Sequence, residues 1–195
     1  MLYTTIRLLK KNKAYPERHV ELSYYGPDEP IPLSLILEIF GLEDALRTLR
    51  ATTTPDEARR FEGLLACDYA ERTLPAFEAY AKRTKWIPDE NLPRHAIETA
   101  RQFLRGETTS DVVNAAAQSA SNVAFGLDLD AECEPDDAPI HAAHDAAEAA
   151  LDAALVALED REFPRSVLDV VDDTPESERE WQTQRFAELL EKADK

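Results

Sequence analysis

From residue 30 onward, apolar positions recur every three or four residues, the spacing of one face of a helix. Residues 30–41 (Pro-Ile-Pro-Leu-Ser-Leu-Ile-Leu-Glu-Ile-Phe-Gly) predict a short helix ended by Gly41. Residues 43–50 predict a second, with Leu42, Ala45, Leu46 and Leu49 on one side. Its acids lie in the first turn and its bases in the last, as the helix dipole prefers. Thr54-Pro55-Asp56-Glu57 predicts the start of a third helix: Thr54 as N-cap, Pro55 at the first helical position, Glu57 closing a capping box. Phe61, Leu64, Leu65, Asp68, Tyr69 and Arg72 then fall near one side. Pro75 predicts a kink or break, with residues 76–82 continuing the helix. After a polar turn around Pro88-Asp89-Glu90-Asn91, Pro93 starts the next helix, striped by Ile97, Ala100, Phe103 and Leu104 and ended by Gly106. Residues 64–106 therefore read as a helical hairpin around which the chain is organised.

Residues 108–125 predict a helix with small side chains inside (Ala115, Ala116, Ala117, Ser119, Ala120, Ser121), suited to close helix approach. The stretch 126–138, rich in Asp and Glu, reads as a mobile acidic loop. An Ala-rich helix is expected over 139–160, offering Ala143, Ala147, Ala150, Leu151, Ala154, Leu155 and Leu158 to a core. Phe163-Pro164-Arg165 ends it, and Thr174-Pro175-Glu176 opens a last helix with Trp181, Phe186, Leu189 and Leu190. Residues 4–10 fit a short helix or a strand, and 19–25 alternate as a strand would; a helix followed by irregular chain is the preferred reading. The expected fold is an all-α helical bundle of about six or seven helices. Its expected parts are an N-terminal segment (1–29), a helical core domain (30–160), and a linker with a C-terminal helix packing on that core (161–195).

Composition supports the helices: 5 Gly in 195 residues is too few for a turn-rich β fold. No apolar run approaches the roughly 18–20 residues that span a bilayer. The N-terminus Met-Leu-Tyr-Thr-Thr-Ile-Arg has no apolar run and no small-residue cleavage site, so a cytoplasmic protein without a signal peptide is expected. Cys67 and Cys133 make no disulfide or metal framework, and Cys67, inside an apolar helical run, is expected to be a small buried residue.

Charge changes the picture more. The formal net charge is −17. Residues 1–20 hold five bases against one acid, residues 21–129 hold 18 acids and 11 bases, and residues 130–195 hold 20 acids and 6 bases. Such a chain repels nucleic acid, whose binding needs Lys and Arg on phosphates. It attracts a basic partner and speeds encounter with it; solubility alone is the competing explanation. The basic run Lys10-Lys11-Asn12-Lys13 is too short to argue for nucleic acid and reads as a solvated helix end.

The residues Ala66-Cys67-Asp68-Tyr69-Ala70-Glu71-Arg72-Thr73-Leu74, then Pro93-Arg94-His95-Ala96-Ile97-Glu98-Thr99-Ala100 and Phe103-Leu104-Arg105-Gly106, followed by an Ala-rich helix pair, form a pattern. It resembles immunity proteins of bacterial polymorphic toxin systems and related bacterial and phage helical proteins, over roughly residues 60–158. The segment 30–50 is similar to part of the phage-associated relatives. Members of that group often carry a second cysteine where this chain has Tyr69, so a Cys-x-Cys chemistry does not transfer. The resemblance implies a stoichiometric inhibitor of a toxin, without catalysis or cofactor, and names no binding face.

Three groups of residues could carry chemistry. His141 and His144, with Asp145 and Glu148, share a helix face and could seat a metal, but a third ligand is not identifiable and solvated histidines are the simpler reading. Asp128, Asp130, Glu132, Glu134, Asp136 and Asp137 lack the Gly and bidentate Glu of a calcium loop. With Asp145, Glu148 and Asp152 they form the candidate surface for a basic protein. Asp68, Glu71, Arg72, Arg94, His95, Glu98 and Arg101 sit on both arms of the hairpin. They read as a structural ion-pair network, with Asp68 or Glu71 as the expected partner of Arg94, or alternatively as a general acid–base site. Trp86 and Trp181 are candidate anchors, with core plug preferred for Trp86. The leading reading is an acidic inhibitor that occludes a basic partner such as a nuclease toxin. The alternatives are a phage counter-defence inhibitor (anti-CRISPR or anti-restriction) that mimics nucleic acid, and an enzyme built on the carboxylate/His cluster.

Overall fold

A computed structural model describes residues 2–14, 21–84, 91–133, 138–158 and 176–193, excluding the side chains of 128–133, 138 and 178. The fold is all-α. Among the described residues eight helices accompany one two-stranded sheet of two residues per strand. None of these helices is long and apolar enough to cross a membrane. The expected turn at 88–91 (apart from Asn91), Trp86, the break at 163–165, and residues 15–20 lie outside the described residues.

The chain divides into two compact units, Met1–Phe61 with Arg165–Lys195, and Glu62–Pro164. This differs from the expected 1–29, 30–160 and 161–195. The described N-terminal residues fold with the two short helices after them and with the C-terminal helix.

In the first unit, β1 (Tyr3–Thr4) pairs antiparallel with β2 (Ile31–Pro32), Tyr3 opposite Pro32 and Thr4 opposite Ile31. The Thr4 hydroxyl donates to the Ala51 carbonyl at 2.5 Å, and the Thr53 N–H donates to Tyr3 O at 2.8 Å. The first strand is thus fixed by chain some 28 and 48 residues away. α1 (Ile6–Lys11) is capped by Thr5, whose hydroxyl accepts from the Leu8 N–H, and it ends on Lys10 and Lys11, the charge its dipole favours there. α2 (Leu33–Phe40) and α3 (Leu42–Leu49) are separated by Gly41 alone. Its φ of 85° is the left-handed region in which a side chain is strained. The expected helix over 30–41 loses its first residues to the strand because Leu33 N–H bonds back to Leu2 O. α8 (Glu176–Ala193) contacts α2 and α3, and its buried Phe186 meets Phe61 edge to face at 4.9 Å.

α4 (Pro55–Thr84) begins in the first unit and continues into the second. Its start corrects one expectation. Thr54 does not cap it: the Thr54 hydroxyl is out of contact with water and has no hydrogen-bond partner. Pro75 does not break it either. Pro75 is exposed, and the buried Leu74 and Phe77 beside it hold the helix to the core while one backbone donor is missing.

The second unit packs the rest of α4 with α5 (Leu92–Leu104), α6 (Ser110–Cys133) and α7 (Ala138–Ala157). α5 ends in a Schellman turn: Gly106 N–H donates to Phe103 O and Glu107 N–H to Gln102 O, with φ 77° at Gly106. One core layer joins Cys67, Ala70 and Leu74 to Ile97, Ala100, Val113, Ala117 and the α7 residues Ala150, Ala153 and Ala154. A second joins Phe77, Tyr80 and Ala81 to Val123, Ala124, Leu127, Ile140, Ala143, Ala146 and Ala147. α6 and α7 are therefore antiparallel neighbours, with α6's end level with α7's start. The stretch 126–133, expected as a mobile loop, is the last two turns of α6. Leu127, fully buried in the second layer, ties those turns to the core and outweighs the poor helix propensity of Gly126 and Asp128.

Candidate functional site

The α4–α5 pair places charge on charge. Asp68 and Glu71 stand one turn apart on α4, and Arg101 of α5 donates to both at 2.7 Å. Arg94, nearly two turns earlier on α5, donates to Glu78 through Nε at 3.1 Å and through a terminal nitrogen. This corrects the expected partner: in an antiparallel pair, moving back along α5 moves forward along α4, past Glu71 to Glu78. Arg94 still feels the charges of Glu71 and Glu98, which add to the Glu78 hydrogen bond in raising its pKa. For Arg101, burial acts to lower the pKa, but the hydrogen bonds and charges of Glu71 and Asp68 outweigh it and the net shift is upward. Arg72, His95 and Glu98 are exposed on the same two helices. The carboxylates of Asp68 and Glu71 thus share one guanidinium, an arrangement that sets helix register. Beneath it lies Cys67, fully buried, its Sγ 3.9 Å from the Ile97 carbonyl oxygen. Burial, with Asp68 and Glu71 nearby, pushes its thiol up to about 12 against the opposing charge of Arg101.

The α6–α7 pair is different. Asp128, Asp130 and Glu132 lie on the last turns of α6. Glu134, Asp136 and Asp137 are outside the described residues. Asp145 and Glu148 are exposed on α7 and Asp152 is half-buried one turn further along. His141 is exposed. His144 is half-buried, Nδ1 3.6 Å from Asp145 and Nε2 3.8 Å from Glu148, which is beyond hydrogen-bond length. No group of three His, Cys, Asp or Glu side chains among the described residues is arranged to hold a metal ion.

A comparison with protein families, curated proteins and solved structures found no match.

Charge totals over residues 1–20, 21–129 and 130–195 hide a signal in the sequence that becomes plain once the helices are placed. Between Arg105 and Arg161 there is no Lys or Arg, while 13 Asp and Glu fall in that gap. The gap contains the whole of α6 and α7. Every Lys or Arg among the described residues of the second unit is on α4 or α5 or at α5's end: Arg72, Lys82, Arg83, Arg94, Arg101 and Arg105. Among the described residues, α4 and α5 set guanidiniums against carboxylates, whereas α6 and α7 carry acids and no Lys or Arg of their own. Trp181, the other candidate anchor, is half-buried on α8 in the first unit.

Proposed function

We propose that this protein is an acidic binding protein that occludes a basic protein partner, in the manner of an immunity inhibitor, and acts in the cytoplasm without cofactor, membrane or direct nucleic-acid contact. The observation that carries the reading is the cation-free α6–α7 pair. A basic protein approaching it meets no Lys or Arg borne by those two helices, and its own cations find the exposed carboxylates of Asp145 and Glu148 there. The α4–α5 side is a poorer docking surface, since its acids are engaged by Arg94 and Arg101.

Occlusion is favoured over nucleic-acid mimicry by extent. Asp145, Glu148 and Asp152 run only about 10 Å along α7, at 1.5 Å per residue, and Asp152 is half-buried. Among the described side chains of α7, that is a short patch rather than an extended row of phosphate-like charges. The resemblance of residues 60–158 to toxin-immunity proteins points the same way.

The test is inhibition. The immobilised chain is used to capture proteins from its native host, and the activity of the captured partner is titrated with free chain. The expected result is a basic partner silenced at equal stoichiometry, with association slowing steeply as salt rises. The triple variant Asp145→Asn, Glu148→Gln, Asp152→Asn should weaken inhibition. A partner inhibited equally well by that variant would remove α7 from the interface and with it the basis of the reading.

A further inference from the structure

The outward stripe of α6 has a character unlike the rest of this charged chain. Ala115, Gln118, Asn122 and Phe125 follow one another at spacings of three, four and three residues, which places them on one helix face. All four are exposed and uncharged. Phe125 is 65% exposed, the most open large apolar side chain of this unit among the described residues. Its neighbours do not cover it: Gln118 and Asn122 are turned to each other, Nε2 to Oδ1 at 3.3 Å. The second core layer packs Val123, Ala124 and Leu127 against Ala143, Ala146 and Ala147, so Phe125 on α6 is level with Asp145 and Glu148 on α7. An apolar anchor, a smooth uncharged track about 15 Å long and a pair of exposed carboxylates therefore lie on adjoining helices.

From this juxtaposition we infer that the α6–α7 surface docks a cationic amphipathic helix. The partner's aliphatic side chains lie over Phe125 and along the track to Ala115, and its Lys or Arg side chains meet Asp145 and Glu148. The inference rests on the basic-partner reading above and adds the partner's shape and apolar anchor. Three features choose this occupant. The small Ala115 lets a helix backbone approach closely there, and the uncharged Gln118–Asn122 pair behind Phe125 adds no charge to be buried. The absence of Lys and Arg across both helices favours a cationic segment over a neutral one. A second copy of this chain is disfavoured, since it would bring another −17 to the same face.

The test uses the full chain and two defined peptides of about five helical turns and equal positive charge. One has Leu on one face and Lys on the other; its control has Ser for Leu. Fluorescence anisotropy with labelled peptides is expected to show the Leu/Lys peptide binding at least about tenfold tighter than the Ser/Lys control. Phe125→Ser should erase that preference, Phe125→Leu should keep it, and Asp145→Asn with Glu148→Gln should weaken both peptides. Unchanged circular dichroism and melting of the variants shows that the exposed position, not the fold, was altered. Equal binding of both peptides, or a preference that survives Phe125→Ser, overturns the apolar anchor and leaves the basic-partner reading standing. Failure of both peptides to bind overturns the two together.

Discussion

Arg101 makes two ion pairs of equal length and unequal worth. Both contacts measure 2.7 Å, but Asp68 is 13% exposed and Glu71 49% exposed, with Arg101 at 21%. Coulomb attraction of unit charges about 4 Å apart is roughly 4 kcal/mol at an effective dielectric near 20 and roughly 1 kcal/mol in water. Desolvation and side-chain ordering remove much of either. A hydrogen bond to a charged group out of water retains about 2 kcal/mol, whereas a pair with one partner half in solvent retains about 0.5 kcal/mol. Two double-mutant cycles, Arg101→Ala with Asp68→Ala and Arg101→Ala with Glu71→Ala, separate the terms. Because the chain divides into two compact units, the readout is hydrogen exchange of α4 and α5 amides rather than a global melt. The Asp68 coupling should exceed the Glu71 coupling by about a factor of four, the ratio of those two figures. At about 0.5 M salt the Glu71 coupling should vanish and the Asp68 coupling persist. Equal couplings, or an Asp68 coupling that salt abolishes, would refute the assignment of burial as the deciding variable.

Thr54→Val should stabilise the first unit by about 1 kcal/mol, because it removes a water-excluded hydroxyl with no partner; an N-cap would give the opposite sign, so protection of amides early in α4 decides it. Cys67 should resist alkylation in the folded chain. Its raised thiol pKa means the folded form holds the proton while the unfolded chain ionises near 9.0, so its contribution is complete below that pH and declines towards about 12. The decline is about 1.4 kcal/mol per pH unit, and Cys67→Ala should flatten the measured stability–pH curve by that amount. Gly106→Ala should cost about 1 kcal/mol: an added Cβ meets no atom within 4 Å, so the loss comes from φ 77° alone, and urea titration with exchange at α5 measures it.

Periodicity made the helices from α2 onward legible, because each buries one stripe and the stripe is written locally in residue spacing. The sheet was not legible: Tyr3–Thr4 is extended because Ile31–Pro32 and the Ala51–Thr53 segment pair with it, and no local pattern announces a partner at that distance. The end of α6 was read as loop because Asp, Glu and Gly dominate it, yet one buried side chain, Leu127, carries the helix onward. Pro75 and Thr54 show the same override in both directions: a breaker tolerated on an exposed face, and a capping motif left unformed. For the candidate site, the residues of the ion-pair cluster were visible but the Arg94–Glu78 pairing was not, since it depends on how two antiparallel helices slide past each other. The absence of Lys and Arg along α6 and α7 was present in the letters all along. It acquired meaning only when those helices became neighbours.

The alanine seam of α7 has a consequence for how this chain can vary. Ala143, Ala146, Ala147, Ala150, Ala153 and Ala154 have no exposed surface. In most cores, trimming a large side chain is the damaging change. Here there is little to trim, and enlargement is the danger: one added isopropyl group pushes α7 off its neighbours at a cost of about 1–3 kcal/mol. The seam acts as a spacer gauge for the bundle. Substitution along it should be confined to Gly, Ala and Ser, while the opposite, solvent-facing side of the same helix remains free to exchange its charges. Fold and surface charge can then diverge independently on a single helix, the one held by the thinness of its side chains and the other facing solvent.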